Sequence, residues 1–322
     1  MFNSVYQKRR FLLILIATAF FLLPGCGTSD SSGESGGSGG QLKVVATTTI
    51  LGDVVSQVGG EAIDLTVLLP AGIDPHTFQP APQDLTALSQ AGLIFINGAG
   101  LETSLSDFLE NARGQHQIVS ASQNIDLHQL EGARAEDSDH DELADDEVDP
   151  HVWFDPNNVI VWTQDIEQGL SELDPGNAQV YRTNAEAYRV KLQELHAWIN
   201  QQVAQIPADN RKLVTDHQVF GYFAERYGFE QIGAVIPSFS TGAEPSAQQI
   251  AALEDKIREF NVPAIFVGET VNPDLAKQIA SDTGVQLIPL YTGSLTEPGG
   301  EADSYIALMR YDVAAIVRGL TN

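Results

Sequence analysis

Residues 174–206 read DPGNAQVYRTNAEAYRVKLQELHAWINQQVAQI, and this stretch decides how the rest of the chain is organised. Asp174-Pro175 is a helix start, with the proline in the first turn where its missing N–H costs nothing. Val180, Ala187, Leu192, Leu195, Ile199 and Val203 then recur at roughly helical spacing until Pro207 stops the run. A rod of about 30 residues is roughly 45 Å long. That is long for a helix in a globular protein, and it sits mid-chain.

Both flanks of this rod carry a different pattern. On the N-terminal side, strand-type runs at 43–48, 64–69 and 93–96 alternate with helical stretches at 51–58 and 82–91. On the C-terminal side, strands at 213–215, 264–267 and 286–290 alternate with helices at 219–227, 248–260, 273–283 and 304–320. Strands alternating with helices imply parallel sheets covered on both faces. The expected class is therefore α/β: two lobes, each a small parallel-type sheet with flanking helices, joined by one long rigid helix. The expected bounds are 42–173 for the N-terminal lobe, 174–207 for the linker helix and 208–322 for the C-terminal lobe.

The first 25 residues stand outside that fold. Lys8, Arg9 and Arg10 precede an apolar run over residues 11–23, the marks of a secretory signal. The run is too short to span roughly 30 Å of hydrocarbon as a stable helix. Leu23-Pro24-Gly25-Cys26 resembles the bacterial lipobox, which makes Cys26 the candidate lipid attachment point. Cys26 is also the single cysteine, so no internal disulfide is available and stability must come from a packed core. Residues 26–41 form a lipidated flexible tether, whose segment TSDSSGESGGSGG reaches on the order of 20 Å.

The whole chain carries a formal −26, and removing the three basic groups of the signal leaves −29. Such a chain repels nucleic acid, so a nucleic-acid partner is excluded. An acidic field concentrates cations, although acidity also serves the plain solubility of an exported protein.

Three of the seven histidines lie in rich contexts. His76 is in Asp74-Pro75-His76-Thr77-Phe78, past the strand ending at residue 69. His151 is in Asp149-Pro150-His151-Val152-Trp153. His217 is in Asp216-His217-Gln218-Val219-Phe220, at the end of the strand 213–215. Open α/β sheets bind ligands outside the carboxyl ends of their strands, and two of these histidines point to such ends, one in each lobe. Taken singly, each reads as a loop or cap residue. The repeated Asp-Pro-His says more, because proline presets the turn and holds the following imidazole rigidly. Rigid neutral imidazoles suit zinc and its neighbours. His116, His128 and His196 lack such a context.

With these three motifs, the Gly/Ser tether, the two lobes, the rod and the run Leu290-Tyr291-Thr292-Gly293-Ser294-Leu295, the chain resembles the zinc/manganese-type (cluster A-I) ABC-transporter solute-binding lipoproteins, zinc-uptake subgroup. The resemblance covers nearly all of residues 42–322. It implies a binding protein and not an enzyme, anchored by lipid to a bacterial cell membrane on its periplasmic or extracellular side. It implies Zn2+ as cargo, with Mn2+ as the alternative, an ABC permease as partner and a monomeric state. Carried over residue by residue, the ligands are His76, His151 and His217. Many members place an aspartate where this chain has Gly293, which has no donor. Glu269, after the strand 264–267, is the expected fourth ligand, with Glu297 or a water as alternatives.

The segment 136–147, EDSDHDELADDE, reads as a solvated disordered loop. Zinc members of the family often carry a His- and acid-rich loop at this place, which makes Asp139, His140 and Asp141 candidate ion collectors. A metalloenzyme using the same three histidines is a rival, disfavoured because no general base accompanies them. A surface adhesin is a second rival without support in the sequence. Metal binding is expected to fade below about pH 6.5, where an ordinary imidazole takes a proton.

Overall fold

The computed structural model describes residues 40–129 and 148–321. The signal segment, Cys26, the tether up to residue 39 and the acidic loop with Asp139, His140 and Asp141 lie outside the described residues.

The N-terminal lobe contains β1 (Leu42–Ala46), α1 (Thr49–Gly59), β2 (Ile63–Val67), α2 (Pro82–Gln90), β3 (Leu93–Ile96), α3 (Ser106–Ala112), β4 (Gln117–Ser120) and α4 (Pro156–Leu173). A short 3-10 turn, Pro175–Asn177, leads into α5 (Ala178–Val203). The C-terminal lobe contains β5 (Lys212–His217), α6 (Gly221–Tyr227), β6 (Glu230–Ile236), α7 (Ala247–Glu259), β7 (Ala264–Gly268), α8 (Asp274–Thr283), β8 (Gln286–Leu290) and α9 (Tyr305–Leu320). The sheets run β2-β1-β3-β4 and β6-β5-β7-β8, so both lobes repeat one strand order. All strand pairs within them are parallel. The α/β class with two parallel-sheet lobes is thus as expected.

Local chemistry explains most helix ends. Thr48 caps α1 by accepting from the Leu51 N–H, and Asp155 caps α4 by accepting from the Asn157 N–H with Pro156 behind it. Ser246 and Gln249 form a reciprocal capping box on α7. Gly228 and Gly284 end α6 and α8 in the left-handed region, at φ 73° and 74°.

Helix α5 is a rod of 26 residues and about 39 Å, shorter than the expected 174–207: Asp174 closes α4 instead of starting the rod, and the 3-10 turn Pro175–Asn177 intervenes. Its buried stripe is Tyr181, Ala185, Tyr188, Leu192, Leu195, Ile199 and Val203. In the first half this differs from the expected stripe, since Val180 and Ala187 face solvent. Two tyrosines replace the aliphatics there: Tyr181 donates to Asp174 (2.6 Å), and Tyr188 lies 3.4 Å from Asp53. The stripe joins side chains of α1, α4, α6 and α9 in one continuous apolar core that spans both lobes. Fully burying each Leu or Ile contributes about 1.5–3 kcal/mol, so the lobes are welded through α5. Smaller clusters cover the other face of each sheet.

Candidate metal centre

His217 is the last residue of β5, beside the point where the strand order of the C-terminal sheet reverses. In such sheets the carboxyl ends of the strands diverge and leave a crevice. Asp216 fixes the imidazole there: its Oδ1 accepts from the His217 N–H (2.7 Å) and lies 2.9 Å from Nδ1. The other oxygen of Asp216 accepts from the Gly268 N–H at the end of β7 (2.7 Å), which ties the ring to both strands.

His151 precedes the buried turn Val152–Phe154 and is itself buried. Asp149 Oδ1 accepts from the His151 N–H (2.9 Å) and lies 2.8 Å from Nδ1. The segment is clamped from both lobes. Asn97, just past β3, donates to the Pro150 carbonyl (3.0 Å), and Tyr222 of α6 donates to the Asp149 carbonyl (2.9 Å). His76 lies in the loop after β2, where Asp74 Oδ1 accepts from its N–H (2.9 Å). Both Asp-Pro-His sequences therefore fold alike, the aspartate accepting from the backbone two residues on.

The three rings meet across the lobes. His76 Nε2 stands 3.1 Å from His151 Nε2, and His217 Nε2 stands 3.2 Å from the same atom. Among the described residues, His76, His151 and His217 are the group whose potential ligand atoms lie within 4.8 Å of one another. Nitrogens bound to zinc at 2.0–2.1 Å in a tetrahedron are about 3.3 Å apart. At His151 and His217, a carboxylate at Nδ1 keeps the proton on that nitrogen and leaves the Nε2 lone pair free for a cation.

Burial, and then the other two imidazoles, hold His76 well below the ordinary histidine pKa. Burial and His217 do the same for His151. Burial raises the Asp149 carboxyl to about 7, and its Oδ2 has no hydrogen-bond partner. The lone pairs of His76 and His151, which resist protonation, converge with that of His217, and carboxylates back His151 and His217; together they form an electron-rich pocket for one borderline divalent cation.

Residues 44–319 match the family described as "ZnuA: Zinc-uptake complex component A periplasmic". The chain belongs to this family. The "Manganese-binding lipoprotein MntA" of Halalkalibacterium halodurans is 35% identical over 97% of this chain and 98% of its own length. The "Manganese ABC transporter substrate-binding lipoprotein PsaA" of Streptococcus pneumoniae is 33% identical over 98% of this chain and 100% of its own. Among solved structures, the periplasmic zinc-binding protein TroA of Treponema pallidum matches with a TM-score of 0.78 and 27% identity, covering 88% of this chain and 100% of that one.

The carboxylates expected beside the histidines stand elsewhere in this ZnuA-family chain. Glu269 is on an exposed turn after β7, and its carboxylate accepts from the Thr292 N–H (3.0 Å) instead of joining the histidine group. Glu297 lies in an exposed turn whose carbonyl accepts from the Gly300 N–H. At Gly293 a Cβ would lie 2.8 Å from Thr270 Oγ1 and 3.1 Å from Pro75 Cδ, next to His76 in the chain. Thr270 and Pro75 therefore fill the space that a side chain at 293 would need.

Sequence reasoning did not single out Asp149 and Asp216 as the groups that orient the ligands. Their place two and one residues before a histidine was the available signal. His128, set aside above, stacks on Tyr222 at 4.0 Å and pairs with Glu225 at 2.5 Å. His196 is half-buried and bonds the Tyr227 hydroxyl (3.0 Å). His116 bonds the Ala91 carbonyl (2.9 Å). A cleft of about 520 Å³ is lined by His76, Leu101, Val148, Pro150, Ser238 and Phe239, so of the three histidines it reaches His76.

Proposed function

We propose that this protein is the metal-capturing component of an ABC importer, taking up one Zn2+ between its lobes through His76, His151 and His217 and delivering it to a membrane permease. The observation that carries this reading is the convergence of three Nε2 atoms, two of them 3.1 and 3.2 Å from the third, with a carboxylate at Nδ1 of His151 and of His217. As a member of a family of solute-binding proteins, the chain binds and releases its cargo and performs no chemistry on it. Three imidazoles without a carboxylate favour zinc over manganese, which prefers oxygen donors and higher coordination. A water, or Glu269 after a side-chain swing, completes the tetrahedron. The continuous core through α5 supports a small closure on loading and not a wide hinge.

Manganese is the second reading, favoured by the names of the relatives at 35% and 33% identity. Competition between Zn2+ and Mn2+ on metal-stripped protein separates the two.

Export and lipid anchoring through Cys26 place the centre outside the cytoplasm. Among the described residues no helix is long and apolar enough to cross a membrane. Cys26→Ser should leave metal affinity unchanged and shift the protein from the membrane fraction to the medium or periplasm. Retention on salt-washed membranes would count against the anchor. The acidic loop, through Asp139, His140 and Asp141, gathers ions only weakly.

The buried Asp149–His151 pair makes a pH forecast. In the metal-free form its carboxyl is raised to about 7, while the imidazole is held neutral. A cation on Nε2 demands the ionised carboxylate beside Nδ1. The metal-free form thus holds a proton that the loaded form lacks, and affinity falls as pH drops through about 7. Loading at pH 6 should release about one proton, measurable by calorimetry in two buffers of different ionisation enthalpy. Asp149→Asn should remove that release; an unchanged release would place its source elsewhere.

A further inference from the structure

The three histidines are not held equally. His151 and His217 each have a carboxylate at Nδ1. Among the described residues no carboxylate bonds Nδ1 of His76, which lies in a loop and is only partly buried. Its position depends on its backbone, held by Asp74 Oδ1 at 2.9 Å. The second oxygen of Asp74 is occupied from the opposite lobe, where the Thr241 hydroxyl donates to it at 2.6 Å.

Thr241 belongs to the loop that follows β6, and this loop also reaches His217. The Ser238 carbonyl accepts from the N–H of Gln218, the residue after His217 (2.9 Å). Ser238 Oγ accepts from the Ser240 N–H (3.1 Å), which stiffens the link between the two contacts. One short loop of the C-terminal lobe thus touches the segments that carry two of the three ligands. The His76 loop has a second cross-lobe hold at its start, where Ser294 Oγ accepts from the Gly72 N–H (2.9 Å). That hold survives any change at residue 241.

We propose that Thr241 is a positioning residue for the captured ion: through Asp74 its hydroxyl keeps His76 in ligand geometry across the cleft and so sets how long the ion stays. The proposal rests on the three-histidine reading. A hydrogen bond to an ionised carboxylate is about twice as strong as a neutral one, and of the three histidines His76 is the one that lines the cleft. Losing the hydroxyl frees the Asp74 carboxylate to turn and lets the ring swing, while the two buried ligands stay in place. The effect therefore falls on release and not on capture.

The test measures Zn2+ release from the full-length protein into excess EDTA, with capture followed separately by stopped flow. Thr241→Val, nearly the same shape without the hydroxyl, should release Zn2+ about tenfold faster with capture within about twofold of native. Thr241→Ser should restore slow release. The melting temperature of the metal-free Thr241→Val protein should fall by no more than about 4 °C, which sets aside a general loosening. Release from Thr241→Val within twofold of native overturns the proposal, and so does equally fast release from Thr241→Ser. His76→Ala, measured alongside, separates the two levels. If it too leaves release unchanged, the ligand assignment has failed; if it alone speeds release, only the role of Thr241 has failed.

Discussion

Alanine at His151 is expected to lower Zn2+ affinity by more than about a hundredfold, because loss of a mere orienting group around a ligand already costs 10–100-fold. His151 is the nitrogen that both other Nε2 atoms approach, at 3.1 and 3.2 Å, so its removal opens the centre of the triangle. Its ring is buried, and the truncation leaves Asp149 with no partner at either oxygen of its side chain apart from a backbone N–H. His76→Ala is the companion variant: it is partly exposed, so its loss disturbs the fold least while still removing one of three donors. Competition against a chromogenic chelator measures both. Full affinity in any two of the three alanine variants would remove the site.

The second large effect concerns which ion is preferred. The native centre should favour Zn2+ over Mn2+ by a wide margin, beyond the ordinary affinity order for nitrogen-containing sites. His217→Glu should weaken Zn2+ more than Mn2+ and narrow the gap by about tenfold or more, since an oxygen donor replaces an imidazole. The new carboxylate would stand beside Asp216, which already serves the Gly268 N–H, and the added negative charge also suits the harder ion. Native protein that holds Mn2+ as tightly as Zn2+ would reverse the zinc assignment and leave metal capture standing.

Much of the architecture is legible in the sequence because it is written in local patterns. The strands Leu93–Ile96 and Gln286–Leu290 lie where short apolar runs meet turn residues. Elements without such a signature escape. Strand β4, QIVS, is half-buried throughout and short, and β6 starts with Glu-Gln and carries Gly233, so neither shows an apolar run. Helix α4 starts at Asp155-Pro156, a cap and first-turn proline that lie directly behind the His151 motif, and the sequence expectations place no helix there.

The centre divides in the same way. Imidazoles at strand ends and after Asp-Pro are visible in one dimension, and the fold brings all three together. A fourth donor depends on the path of loops that approach from far along the chain. Thr270 and Pro75 close around Gly293, and Glu269 turns to the Thr292 N–H, through contacts that residue spacing does not encode. Asp74 is legible as part of a turn, but its bond to Thr241, 167 residues later, belongs to the tertiary structure alone.

In the proposed function one zinc ion sits among His76, His151 and His217. Anomalous diffraction at the zinc edge, from crystals of protein loaded with one equivalent of Zn2+, tests it most directly. A single strong peak about 2.0–2.1 Å from Nε2 of each of the three rings is expected. A principal peak held by other residues, or one reached by fewer than three of these imidazoles, would contradict it.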